Sequence, residues 1–268
     1  MSQPPISSTW RTKRINIHQQ YYWVIGEISL WVKCDENTIR LAYAYRSGLE
    51  WESPENPPKN LLWHSWPVYH PDQQIRITPI FPDRPVVVKP EVSFRLYPHS
   101  SLQSFVRIPI WLQITSVGKK ENILITLPSV VLSHTWFGKT TEGELCYWIS
   151  SGMRHQTEPD PSRIHSAICS IKVVNESDDD LNVEKICLHT ESLSMFYDSV
   201  QLWSDDIAVS YRGTQDATHI QSSGTPPKES PVAKRISTPR KPQKKGFTAK
   251  TFSSIMDLPG LGFTSITG

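Results

Sequence analysis

Residues 107–127 read Arg-Ile-Pro-Ile-Trp-Leu-Gln-Ile-Thr-Ser-Val-Gly-Lys-Lys-Glu-Asn-Ile-Leu-Ile-Thr-Leu. Ile108, Ile110, Leu112 and Ile114 alternate with Pro109, Trp111, Gln113 and Thr115, so one parity is aliphatic and the other mixed. Side chains two apart share a face of a strand, and this period marks a half-buried strand rather than a helix. Gly118-Lys119-Lys120 then supplies turn residues, and Ile123, Ile125 and Leu127 resume the pattern, which predicts a hairpin.

The same alternation recurs on either side. Upstream it runs through Ile28, Leu30 and Val32, through Ile39, Leu41, Tyr43 and Tyr45, and through Val92, Phe94 and Leu96. Downstream it runs through Ala167, Cys169, Ile171 and Val173, breaks at the turn residues Asn175 to Asp180, and closes with Ile207, Val209 and Tyr211. No stretch of this body carries three turns of helical periodicity without Pro or Gly. The expectation is an all-β fold, an antiparallel β-sandwich of two tandem immunoglobulin-like units. The 22 prolines against 12 glycines fit, because proline is confined to strand ends, edges and turns.

Composition divides the chain. All ten Trp lie between Trp10 and Trp203, and from Thr214 onward eight Lys/Arg face three acids, so a tail of +5 follows a body of −3 within a total of +2. The expected organisation is an N-terminal arm (1–20), a first sandwich (21–133), a second sandwich or sheet subdomain (134–213), a disordered basic linker (214–250) and a short apolar peptide (251–268). The linker is rich in Pro, Ser, Thr and Lys, which bury too little apolar area to offset ordering entropy. In the last segment Phe252, Ile255 and Met256 fall on one face of a helical turn, and with Leu258, Leu261 and Phe263 they form a candidate docking element. Its partner would be another protein, a second copy, or the chain's own body.

No apolar run reaches the length of a spanning helix, and Arg11, Lys13 and Arg14 precede no apolar stretch of the kind a secretory signal needs. A cytoplasmic address is expected, with the basic tail able to meet the anionic inner face of the membrane. Lys and Arg in the tail are interleaved with Pro rather than aromatics, so nucleic acid is not an expected partner.

The most distinctive stretch is Phe137-Gly138, followed by Gly143-Glu-Leu-Cys-Tyr-Trp148, the Pro159-Asp160-Pro161 step, Val173-Val174-Asn175 and Met195-Phe196-Tyr197, with Arg107-Ile-Pro-Ile-Trp111 upstream. Together these resemble an uncharacterised archaeal and bacterial family catalogued as domain of unknown function 432, over roughly residues 75 to 213. The resemblance implies an all-β fold and no established activity. Through the genes such proteins accompany, it also implies a partner of the small mechanosensitive channel type.

Candidate chemistry is sparse. His134 and Cys146 flank the loop around Gly138 and could pair as base and thiol, but nothing nearby would depress the thiol pKa. Cys187 and His189 share a strand face, and with Cys169 on a neighbouring strand they offer three metal donors, although Ile186 and Leu188 make the better core face. Asn175 to Asp180 lacks the alternating order of a calcium loop. No phosphate loop, dinucleotide fingerprint, zincin motif or nucleophile elbow occurs, so no cofactor is expected. Trp51, Trp63 and Trp66, in a Pro-rich region, are candidate glycan contacts, or they staple that loop to the core. The sequence thus reads as a non-enzymatic protein-interaction or assembly module, with a glycan-binding sandwich as the alternative and a thiol-dependent enzyme third.

Overall fold

The aliphatic face that opens the sequence reading is buried as expected, with Ile108, Ile110, Leu112 and Ile114 all fully inaccessible. It nevertheless belongs to two strands. The computed structural model describes residues 9–46, 56–68, 73–150, 152–157, 160–213, 218–242, 248–249 and 252–253. Between Pro109 and Trp111 the chain passes from one sheet to another. Pro109 has no N–H, and the Ile110 N–H donates to the His165 carbonyl at 3.0 Å while its own carbonyl accepts from Ser129 N at 2.9 Å. The switch therefore leaves no backbone group of Ile110 unpaired.

Eleven strands precede the Phe137-Gly138 turn region: β1 (Lys13–Ile15), β2 (Gln20–Ile25), β3 (Ile28–Asp35), β4 (Thr38–Tyr45), β5 (His64–Pro67), β6 (Gln73–Ile80), β7 (Val86–Val88), β8 (Phe94–Leu96), β9 (Ser101–Pro109), β10 (Trp111–Val117) and β11 (Asn122–Pro128). Those that follow are β12 (Ser133–Phe137), β13 (Glu144–Trp148), β14 (Ser166–Asn175), β15 (Leu181–Val183), β16 (Lys185–Leu188), β17 (Met195–Tyr197), β18 (Leu202–Ser204), β19 (Ile207–Tyr211), β20 (Thr218–Ser222), β21 (Lys234–Ser237), β22 (Thr248–Ala249) and β23 (Phe252–Ser253). Among the described residues helix is confined to 3-10 turns such as Pro161–Arg163 and Thr190–Ser192. Among the described residues no helix is long and apolar enough to cross a membrane.

The meander β2-β3-β4-β5 faces the sheet β1-β6-β10-β11. Leu30 and Leu41 from the first share one core with Ile77 and Leu112 from the second, and this is the expected sandwich. The predicted hairpin is β10 and β11, with a register irregularity at Ile114/Thr115. Ile123, expected inside with Ile125 and Leu127, is 62% exposed at the fraying start of β11.

A third sheet runs β12-β13-β7-β16-β23, and a fourth is built on β14, with β9 along one edge and β18 and β19 end to end along the other. The all-β expectation of antiparallel sheets is borne out. Parallel pairs also occur, β13 with β7 and β14 with β18 and β19, which alternation alone does not encode.

Ladders cross the expected boundary at 133/134. β9 pairs with β14 from Ser101↔Val174 to Pro109↔Ser166, and one apolar cluster takes in Leu30, Ile77, Ile108, Ile171 and Val209 alike.

The body also extends past Gly213 into the expected linker. Residues 218–242 carry β20, paired with β19, and β21, paired with β17. Charge misled here, because several tail cations are used internally. Arg240 Nε donates to the Phe81 carbonyl at 2.6 Å with its guanidinium 5.2 Å from the Trp111 ring centre, and Arg235 lies 5.5 Å from the Phe196 ring centre. A guanidinium on an aromatic face is held by the ring quadrupole, so these charges staple the chain down.

Candidate anion-binding cleft

A cleft of about 670 Å³ lies where β9, the segment after β13 and the 3-10 turn Pro161–Arg163 meet. Backbone bonds fasten the segment after β13 to β9. Phe105 N donates to the Arg154 carbonyl at 2.7 Å and Arg154 N returns a bond at 2.9 Å. This brings Arg107 on β9, Arg154, and Arg163 of the turn to one wall, with Glu91 and Asp160 among them and Gln156 and Thr157 completing the polar lining.

Each group has a defined place. Arg154 Nε donates to Glu91 Oε1 at 2.7 Å, and Arg163 Nε lies 3.1 Å from Asp160 Oδ2. Asp160 caps the turn, its Oδ1 accepting from Ser162 N at 3.0 Å and Ser162 Oγ at 2.6 Å. These bonds, with the Ser162 hydroxyl first and despite some burial, hold its carboxyl below the usual range. Arg107 Nη1 donates to Gln201 Oε1 at 3.2 Å, and that oxygen also accepts from Asp160 N. Burial lowers the Arg107 pKa, and the neighbouring charges of Arg163 and Arg154 push the same way against the opposing pull of Asp160. Among the described lining residues three cations face two carboxylates, and the most buried cation, Arg107, is crowded by the other two. Gly152 lies against the Glu91 side chain, whose Cγ a Cβ at this position would displace.

None of the singled-out sequence candidates among the described residues lines this cleft. Trp63 is half-buried with Lys33 Nζ 4.2 Å from its ring centre, Trp66 packs against the core beside His64, and Trp51 lies outside the described residues. Phe252 stands in a two-residue strand opposite Ile186 on β16 rather than in a helical turn, and Ile255, Met256, Leu258, Leu261 and Phe263 lie outside the described residues. His134 and Cys146 are not a dyad: His134 pairs with Tyr147 and Cys146 with Thr135, so their side chains leave opposite faces. Cys169 is buried in the main core, while Cys187 packs elsewhere, beside Cys146 with Val87 and Phe137. The acidic run is the expected turn, its backbone wrapped around the buried Asn175 amide.

The cleft was missed because arginines at 107, 154 and 163 share no spacing. The one local signal is Pro159-Asp160-Pro161-Ser162, in which Asp precedes Pro at the first position of a helical turn.

A family model described as protein of unknown function (DUF432) matches residues 9–257. The chain belongs to this family. No curated protein and no solved structure matches it. The family's span is wider than the resemblance over 75–213 suggested, taking in the first sandwich and the tail strands. The arginine-lined cleft lies within it.

Proposed function

We propose that this chain is a ligand-binding module whose cleft takes a small molecule bearing a phosphate or carboxylate group. The observation that carries the reading is the convergence of Arg107, Arg154 and Arg163 on one polar cleft, where Glu91 and Asp160 are the carboxylates among the described lining residues. A planar guanidinium presents donors in a fork that matches both anions bidentately. An incoming anion would relieve the mutual repulsion around Arg107 and compete with Glu91 for Arg154.

A module of this kind acts through a partner rather than by chemistry of its own, in keeping with the non-enzymatic interaction role read from the sequence. The channel-type partner that the resemblance implies, meeting the protein at a membrane surface, is the first to try.

The test is calorimetric titration of the purified full chain with inorganic phosphate, pyrophosphate, citrate and nucleoside phosphates. Saturable binding of at least one class, weakened tenfold or more in Arg107→Gln and partly restored in Arg107→Lys, is expected. Absence of saturable binding by every class, or equal binding by Arg107→Gln, refutes the reading. Repeating the calorimetry with a reconstituted channel, with and without the bound anion, tests the partner.

A further inference from the structure

Three potential metal ligands, Glu144, Cys187 and His189, meet on the sheet β12-β13-β7-β16-β23 with Cys146 beside them, and none of the four lines the arginine cleft. Two strands supply them as matched pairs. Glu144 and Cys146 are two apart on β13, so they share a face, and Cys187 on β16 and His189 just beyond it are likewise two apart. β13 and β16 both pair with the intervening β7, at Trp148↔Val87 and Cys187↔Val87. The opposite parity of β16, Ile186 and Leu188, is in the main core, which sends Cys187 to the other face beside Val87, Phe137 and Cys146.

Three of the donor atoms are spaced as ligands of one ion would be, and Cys146 Sγ lies outside that group, beside Cys187. The donors of Glu144, Cys187 and His189 all lie within 4.8 Å of one another. His189 Nε2 is 3.2 Å from Glu144 Oε1, Cys187 Sγ is 4.0 Å from that oxygen, and Cys146 Sγ is 3.7 Å from Cys187 Sγ. With Zn–S near 2.3 Å and Zn–N or Zn–O near 2.0–2.1 Å, a tetrahedron has edges of about 3.8 Å between sulfurs, about 3.3 Å between nitrogen and oxygen and about 3.5 Å between sulfur and oxygen. Of the three edges compared, two match within about 0.1 Å and the third closes by a small rotation of Glu144, while the edges from Cys146 to Glu144 and His189 close only when Cys146 turns toward them.

The surroundings fit as well. His189 Nδ1 lies 3.4 Å from Glu191 Oε1, and Lys241 Nζ lies 3.5 Å from the same oxygen. A carboxylate on the far nitrogen of a ligating imidazole fixes its tautomer and orientation, and a lysine holding that carboxylate in place extends the support. A Cys146–Cys187 disulfide fits poorly, because β7 separates the two strands by two spacings, roughly 9–10 Å, where a disulfide tolerates Cα atoms up to about 7 Å apart.

We propose that Glu144, Cys187 and His189 bind one zinc ion, that Cys146, its Sγ 3.7 Å from that of Cys187, turns in to complete the tetrahedron, and that Glu191 and Lys241 orient His189. Four protein ligands leave no open position, so the ion is structural: it ties β13 to β16 across β7. This is independent of the anion-binding reading, as it concerns a cation and a different set of residues.

The test uses the full chain, stripped with a chelator under reducing conditions and reloaded. Expected results are one zinc per chain by elemental analysis, a rise in melting temperature on reloading, and sulfur-to-metal charge-transfer with tetrahedral d–d bands on loading cobalt instead. Cys187→Ser and His189→Gln should lose the stoichiometric ion, and Glu191→Gln should bind it about 10–100-fold more weakly. Cys169→Ser, a buried cysteine outside the cluster, should bind normally. Should the ligand variants fail to fold, the wild-type cobalt spectrum decides. Wild-type protein that shows no thiolate-to-cobalt band and keeps no zinc on dialysis, or that is recovered with a Cys146–Cys187 disulfide, overturns the proposal.

Discussion

Removing the Asn175 side chain should cost about as much stability as any single surface-free change in this molecule. Asn175 ends β14 and is fully buried. Its amide nitrogen faces the carbonyls of Leu96 at 3.1 Å, Tyr97 at 3.1 Å and Asp179 at 2.7 Å, and its oxygen accepts from Ser177 N at 3.1 Å and Ser177 Oγ at 2.7 Å. Three carbonyls can only accept, so the orientation of the amide is determined by its neighbours. Two N–H groups serve three oxygens, giving four bonds' worth of interaction at roughly 1 kcal/mol net each. Asn175→Ala leaves those carbonyls dry and should cost about 3–4 kcal/mol, a large part of the ~5–15 kcal/mol typical of a domain. Asn175→Asp keeps the shape but aims an oxygen at three oxygens, and should cost more than the alanine. Equilibrium urea unfolding reads both, provided the slope is unchanged. The reasoning fails if the alanine variant lies within about 1 kcal/mol of wild type, or if aspartate is tolerated better than alanine.

Asp205 provides a pH test. Burial raises its carboxyl to about 6 against bonds from Ser194 N and Ser222 Oγ. The folded state therefore binds the proton more tightly than the unfolded one, and stability from this group is lost as pH rises from about 4 to about 6, by about 3 kcal/mol in all. Asp205→Asn should remove that slope, and a difference between the two proteins that does not change over this window would contradict it. Ile108→Ala should cost about 2–5 kcal/mol, whereas Ile123→Ala, on the exposed end of β11, should change stability by about 0.5 kcal/mol or less, both by thermal unfolding. Gly152→Ala should displace Glu91 from Arg154 and so strengthen, not weaken, anion binding in the calorimetric titration; weaker binding would count against the competition between Glu91 and ligand.

What was legible follows from what each signal measures. Alternation reports which parity is buried, so the face of Ile108 to Ile114 was found correctly, whereas in β3 Ser29 and Trp31 of the opposite parity are buried along with Ile28, Leu30 and Val32. It does not report which strand lies alongside, so the break at Ile110 and the parallel partners of β14 were hidden. Composition reports whether a segment can build its own core. It cannot tell that Arg235 and Arg240 find aromatic faces already made, and so it placed β20 and β21 in a linker. The metal donors were half legible: Cys187-x-His189 was singled out with Cys169 as third ligand, whereas Cys146 was read with His134 for nucleophile chemistry and Glu144 was given no chemical role. The two pairs become neighbours only through β7, which contributes no donor. The arginines of the cleft gave no local pattern at all.

The pairing of β16 with β23 has a consequence for how the protein is made. Ile186 leaves the ribosome well before its partner Phe252, and at about 5–20 residues per second that interval is several seconds. During it β16 offers an open edge to any extended peptide in reach, as β17 does until β21 arrives and β19 until β20 does. The last strands thus act as late-arriving covers. A nascent chain stalled before them would be the form most exposed to chaperones, and most prone to pair with its neighbours on a polysome.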